Sequence, residues 1–118
     1  MYARIITFRL DGVTVEEHAP AAAAIAPNFA AWPGLITKFW IHDAERATLG
    51  GLYVFADREA ADRSRETPEF AAVTNDPTFD DVQIREFDIV DELTVITTGP
   101  FASILNATRA GATGAGHS

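Results

Sequence analysis

The residues that could do chemistry in this chain are few. Histidine occurs at positions 18, 42 and 117, lysine only at position 38, and cysteine nowhere. The lack of cysteine excludes disulfides, thiolate metal sites, iron–sulfur clusters and thiol nucleophiles. The three histidines show no ligand spacing such as H-x3-H, so no metal site is expected. General acid–base work by His42, His18 or Lys38 is what remains. His42 is followed by Asp43, with Arg46 close by, and as a base it would need such a partner to hold its tautomer. The other reading is a solvent-exposed histidine on a hairpin. His18 falls early in a helix. Turned toward a sheet it would enter a pocket, whereas its neighbours Glu16 and Glu17 suit a solvated first turn. Lys38 lies in a strand dense in aromatics. Desolvated, it could act as a base or anchor an anionic substrate. Alternatively it guards an edge strand or pairs with a carboxylate at a subunit seam. His117 sits in the tail and is set aside.

A site for a flat apolar molecule needs walls and a few polar contacts. Phe29, Trp32, Phe39, Trp40 and Tyr53 could supply the walls, or else serve as core and interface aromatics. Asn28 and Thr37 are candidate hydrogen-bond donors to a substrate oxygen. Gly50-Gly51 permits close backbone approach at the start of a strand.

These residues must be positioned by a definite order of elements. Tyr2 to Leu10 reads as a strand that is apolar on both parities and is ended by Asp11-Gly12. Thr14-Val15-Glu16-Glu17 fits a capping box, opening an Ala-rich helix that runs to about Trp32. Pro20 falls near its first turn, Pro27 should kink its interior, and Pro33-Gly34 stops it. Leu35 to His42 and Leu49 to Ala56 read as strands joined by a short polar connection, hence an antiparallel hairpin. Asp57 can cap a second helix that starts at Arg58. Thr67-Pro68 breaks it and restarts a short helix through Val73. Val82 to Val90 reads as the fourth strand, with Leu93 to Thr97 extending it or forming a short fifth. The order β-α-β-β-α-β is the ferredoxin-like plan of the α+β class, a four-stranded antiparallel sheet with both helices on one face. The uncovered face is also apolar by pattern, and a second copy packed sheet to sheet would cover it, which predicts a homodimer.

Composition narrows the partners. The 118 residues suit one domain, expected to span 1–98, followed by a Gly/Ala-rich tail over 99–118 that should be flexible. With 17 acidic against 9 basic residues the net charge is -8, which disfavours nucleic acid and anionic lipid. No apolar run approaches the ~20 residues of a membrane helix. Met1-Tyr2-Ala3-Arg4 leads straight into strand sequence with no signal-peptide pattern, so a cytoplasmic protein is expected.

Two stretches carry a family resemblance: Pro33-Gly34-Leu35-Ile36-Thr37-Lys38-Phe39-Trp40, and Gly50-Gly51-Leu52-Tyr53-Val54-Phe55. This PG-x3-K-x-W then GG-x-Y-x-F pattern resembles the YdhR-type putative monooxygenases of the dimeric α+β barrel superfamily. The resemblance extends from about Tyr2 to Val95. It implies a homodimer with a pocket between sheet and helices in each subunit. It further implies cofactor-independent oxygenation, by O2, of an electron-rich aromatic or polyketide-like substrate. Relatives on the same fold isomerise, cyclise, decarboxylate or bind haem, so a non-redox enzyme and a non-catalytic ligand-binding dimer stand as alternatives.

Overall fold

The computed structural model describes residues 1–99. All of the expected tail but Gly99 lies outside the described residues. The elements are β1 (Tyr2–Leu10), α1 (Val15–Ala30), β2 (Leu35–Asp43), β3 (Thr48–Phe55), α2 (Arg58–Ser64), α3 (Pro68–Asn75), β4 (Phe79–Asp88) and α4 (Asp91–Thr97). The strands form one antiparallel sheet in the order β2-β3-β1-β4.

Local chemistry sets the helix boundaries. The Glu17 amide donates to Thr14 Oγ1 at 3.1 Å and the Thr14 amide to Glu17 Oε1 at 3.0 Å, completing the capping box of α1. Asp57 Oδ1 accepts from the Ala60 amide at 2.8 Å to start α2. Thr67 Oγ1 accepts from the Phe70 amide at 3.2 Å to start α3, with Pro68 in its first turn. Each such cap is worth about 1 kcal/mol. Helix α1 continues through Pro20 and Pro27 as one element. After it the chain turns at Gly34, whose φ of +80° is left-handed and whose missing β-carbon leaves room for the Ala60 side chain.

Cross-strand partners share a face of an antiparallel sheet, so the pairing sorts the strands into rows. One face carries Leu35–Phe55–Tyr2, then Lys38–Tyr53–Arg4–Glu86, then Trp40–Gly51–Ile6–Ile84. Helices α1, α2 and α3 cover this face, and Tyr2, Ile6, Tyr53 and Phe55 pack there with Phe29, Trp32, Ala60, Ala61 and Phe70. The opposite face carries Thr37–Val54–Ala3–Phe87 and Phe39–Leu52–Ile5–Arg85. A register shift between Leu35 and Thr37 puts Leu35 and Lys38 on the same, helix-covered side although their positions differ in parity.

Arg4 is fully buried beneath α2. Its guanidinium donates to Glu86 Oε2 at 2.7 Å, Ser64 Oγ at 2.7 Å and the Ala61 carbonyl at 2.8 Å, between the rings of Phe55 and Phe70. Glu86 also accepts from the Tyr2 hydroxyl at 3.0 Å and from Arg65 at 2.6 Å. Burial opposes ionisation of Glu86, but its bonds to Arg4, Tyr2 and Arg65 outweigh it and hold the carboxyl below the ordinary range.

Two expectations are corrected. The fourth strand begins at Phe79 and ends at Asp88 rather than running from Val82 to Val90. Leu93 to Thr97 is not strand but part of helix α4. The Met1 ammonium reaches both carboxylate oxygens of Asp91 at 2.9 Å, and the Ile89 amide donates to the Met1 carbonyl, so the chain is fixed as it leaves the sheet. From Asp91 it turns into a helix, with Asp91 and Glu92 in the first turn, where acidic side chains suit the helix dipole.

Candidate active site

Between α1 and the covered face of the sheet lies a cavity of about 480 Å³. Its origin is legible in α1. Val15, His18, Ala19, Ala22, Ala26 and Phe29 recur at helical spacing on the side that lines the cavity. The alanines are too small to fill the gap to the sheet, so the helix spans it rather than closing it. From the sheet come Ile6, Phe8, Lys38, Trp40, Gly51 and Tyr53, and from α3 come Glu69 and Phe70.

The walls are mostly aromatic. Trp32 and Tyr53 lie in near-parallel planes with centroids 5.9 Å apart, and Phe55, in the core behind the lining, is parallel to Tyr53 at 6.1 Å. Phe29 is tilted against Trp32 at 4.8 Å and meets Trp40 edge to face at 5.6 Å. The indole N–H of Trp32 donates to Glu69 Oε1 at 2.8 Å, which fixes the ring.

Lys38 is the cation of this pocket. Its Nζ lies 3.5 Å from the ring centroids of both Phe29 and Trp40 and 4.8 Å from that of Tyr53. Among the described residues it has no carboxylate partner and no hydrogen bond. Burial pushes its ammonium down to about 7. The ring faces favour the charged form and act against that shift. Lys38 stands directly opposite Tyr53 across the β2–β3 pair, so the two side chains share the covered face. Burial pushes the Tyr53 hydroxyl up, keeping it protonated; the charge of Arg4 acts the other way.

The two glycines of the hairpin have separate jobs. A β-carbon at Gly51 would lie 2.7 Å from Lys38 Cε and 3.0 Å from Tyr53 Cε1, so this glycine leaves the space through which both side chains reach the pocket. A β-carbon at Gly50 would overlap the backbone of Ile6, so that glycine lets β1 and β3 approach.

Of the residues singled out from sequence, His18, Phe29, Trp32, Lys38, Trp40, His42 and Tyr53 all line this one cavity. His18 stands at the end formed by Phe8 and Phe79, edge to face with both. His42 is exposed at the rim. Its neighbour Asp43 is engaged by Arg46, whose hydrogen bonds hold the Asp43 carboxyl down, and His42 receives no carboxylate among the described residues. Asn28 is exposed on α1 and outside the lining, and Thr37 belongs to the opposite face of the sheet. Glu69, Phe8, Phe70 and Phe79 are lining residues that the sequence reading missed. The available signal for Glu69 was its place two residues after the Thr67 cap, which also suits a first-turn acid of no further role. Among the described residues there is no group of three or more His, Cys, Asp or Glu that could hold a metal ion, and no helix is long and apolar enough to cross a membrane.

The α+β ferredoxin-like fold is shared with several solved structures. One of them, an antibiotic biosynthesis monooxygenase, is 15% identical and has a TM-score of 0.63, covering 76% of this chain and 99% of its own. SnoaB of Streptomyces nogalater, a cofactor-independent oxygenase, is 18% identical with a TM-score of 0.61, covering 75% and 92%. The haem degrader MhuD of Mycobacterium tuberculosis, with two haems bound in its active site, is 16% identical with a TM-score of 0.61, covering 76% and 96%. No curated protein matches the sequence. The family model described as "Putative mono-oxygenase ydhR" matches residues 5–100, and the chain belongs to that family.

Proposed function

We propose that this protein is a monooxygenase that oxidises a small electron-rich aromatic in the α1–sheet pocket and needs no resident cofactor. The observation that carries the proposal is Lys38, a lone amine set among the rings of Phe29, Trp40 and Tyr53. With its ammonium brought down to about 7, part of the population is the free amine at neutral pH and can accept a proton from an acidic substrate. The resulting electron-rich anion is itself the reductant of O2. For an anthrone-type substrate the ring methylene becomes a carbonyl. One oxygen atom enters the product, and the other leaves as water with the two methylene hydrogens, so no outside reductant is required. The apolar walls hold the flat ring and keep water from the reacting carbon. Membership in a monooxygenase family and the fold shared with a cofactor-independent oxygenase support this reading. Oxygen uptake by metal-free protein with an anthrone- or quinol-type substrate tests it. One O2 per substrate, lost in Lys38→Met, is expected, and no uptake across the panel would overturn it.

Two pocket histidines favour a second reading, in which His18 or His42 serves a non-redox cyclisation, isomerisation or decarboxylation. Turnover under strict anaerobiosis would select it.

The functional unit in this proposal is a homodimer. Ile5, Leu52, Val54 and Phe87 share the face of the sheet opposite the helices, and Phe87 is exposed there by 45%. Such a face is stabilised when a second copy covers it. Sedimentation at micromolar concentration should give twice the chain mass, and a monomer would refute this part. The absence of cysteine suits a cytoplasmic setting.

A further inference from the structure

We infer that Lys38 and Tyr53 together form an oxyanion-binding subsite, and that the pocket selects flat aromatic ligands bearing an acidic oxygen, bound as the anion. The inference rests on the pocket being the ligand site, as proposed above, but not on any redox step.

Two donors without acceptors carry it. Tyr53 is only 4% exposed, yet its hydroxyl makes no hydrogen bond to a described residue. Among the described residues no side-chain nitrogen or oxygen is both sealed off and unpartnered, so this hydroxyl opens on the cavity that Tyr53 lines. Lys38 Nζ is in the same condition, with three N–H groups and no acceptor, 4.8 Å from the Tyr53 ring. Both donors face the cavity rather than a protein acceptor, side by side on adjacent strands.

The remaining polar groups of the lining do not bond to them. Glu69, on α3, takes the Trp32 indole N–H on one oxygen and makes no ion pair with Lys38. His18, on α1, stands with Phe8 and Phe79. His42, four residues beyond Lys38 in the same edge strand, is exposed at the rim. A ligand oxygen at this point therefore displaces solvent and competes with no protein acceptor. One oxygen bearing negative charge meets both donors, and charge-assisted bonds are the stronger kind. The rings of Phe29, Trp40 and Tyr53 around the amine leave an aromatic group as the body that fits behind that oxygen. Gly51 gives the arrangement its geometric signature, since any side chain there would push Lys38 and Tyr53 out of place.

The test is binding without turnover. Under nitrogen, 2-naphthoate and its neutral isostere 2-naphthamide are titrated into the full-length protein at pH 6.5, followed by the fluorescence of Trp32 and Trp40. The carboxylate should bind about tenfold or more tightly than the amide. Lys38→Met should bring the two affinities together while leaving the amide within a few fold. Tyr53→Phe should weaken the carboxylate several fold and the amide less. Because the chain has a single lysine, one 13Cε resonance of lysine-labelled protein reports Lys38 directly. Bound naphthoate should move its titration midpoint to higher pH, and bound naphthamide should not. Equal affinities in the wild type, a preference that survives in folded Lys38→Met, or an unmoved midpoint would each overturn the subsite. If oxygen uptake were seen despite such a result, the oxygenase reading would stand without it. Failure of both probes to bind at millimolar concentration would overturn the subsite together with the pocket assignment.

Discussion

Replacing Lys38 by methionine should stabilise this protein at low pH and leave its stability almost unchanged at high pH. The sign follows from proton counting. The unfolded chain carries an ordinary lysine near 10.5, and burial brings the folded group down to about 7. Between those values the unfolded state holds a proton that the folded state lacks, so stability rises with pH through that window. Below about 7 both states are charged and the full cost of the buried ammonium is present. At about 1.36 kcal/mol per pH unit the window is worth at most roughly 5 kcal/mol. The rings of Phe29 and Trp40, each 3.5 Å from Nζ, offset about 1–1.5 kcal/mol apiece. Lys38→Met should therefore be more stable than the wild type by about 2–3 kcal/mol at pH 6. The advantage should shrink toward zero near pH 10. Urea unfolding of both proteins at one fixed protein concentration measures it, because acidic groups common to both cancel in the difference. The lysine 13Cε titration should show a midpoint between about 7 and 9, the upper end set by the ring faces. A midpoint near 10, with Lys38→Met less stable than the wild type at pH 6, would refute the picture of an unpaired ammonium in an apolar cage.

Other outcomes follow from the same geometry. Gly51→Ala should keep the fold but weaken binding of flat acids tenfold or more in a fluorescence titration, because it displaces Lys38 and Tyr53. Gly50→Ala, which meets the Ile6 backbone, should instead lower the thermal midpoint sharply or prevent folding. Glu86→Gln should cost about 3 kcal/mol by leaving Arg4 buried without its counter-ion. Since the Glu86 carboxyl is held down in the folded state, the stability it contributes is present above its unfolded value and lost as pH falls below it, so the loss in Glu86→Gln should shrink in acid denaturant titrations. Phe87→Asp, on the open face, should shift sedimentation from dimer to monomer with little change in circular dichroism.

Much of the fold was legible because its signals are local. Thr14 with Glu17, Asp57, and Thr67 with Pro68 mark helix starts by hydrogen-bond chemistry that needs no partner far away in the chain. The faces of β2 were not legible. Simple alternation groups Ile36 with Lys38, Trp40 and His42, and Leu35 with Thr37 and Phe39, but the register shift at Leu35/Thr37 places Leu35 with Lys38. A bulge is a property of the strand pair, invisible in either strand alone. The helix α4 was misread because Thr94, Val95 and Ile96 are β-formers, and what fixes the chain before them is the ion pair between Asp91 and Met1, 90 positions apart. The pocket was half legible. Its aromatics announced themselves by type, while the alanine side of α1 that makes the cavity looked like ordinary helix composition, and Glu69 like a first-turn acid. Asn28 and Thr37 carry side chains able to donate, but the register and exposure of their elements turn them elsewhere.

The solitary lysine also has a practical side. With arginine carrying every other basic side-chain charge, the pocket amine of Lys38 is the one side-chain amine an acylating reagent can meet, and the Met1 amine is tied to Asp91. The rate at which an activated ester modifies Lys38 would thus measure how readily a molecule passes the opening beside Phe29 and Trp40. Reagents of graded width would size that opening, giving a clock for ligand entry that needs neither a known substrate nor a known product.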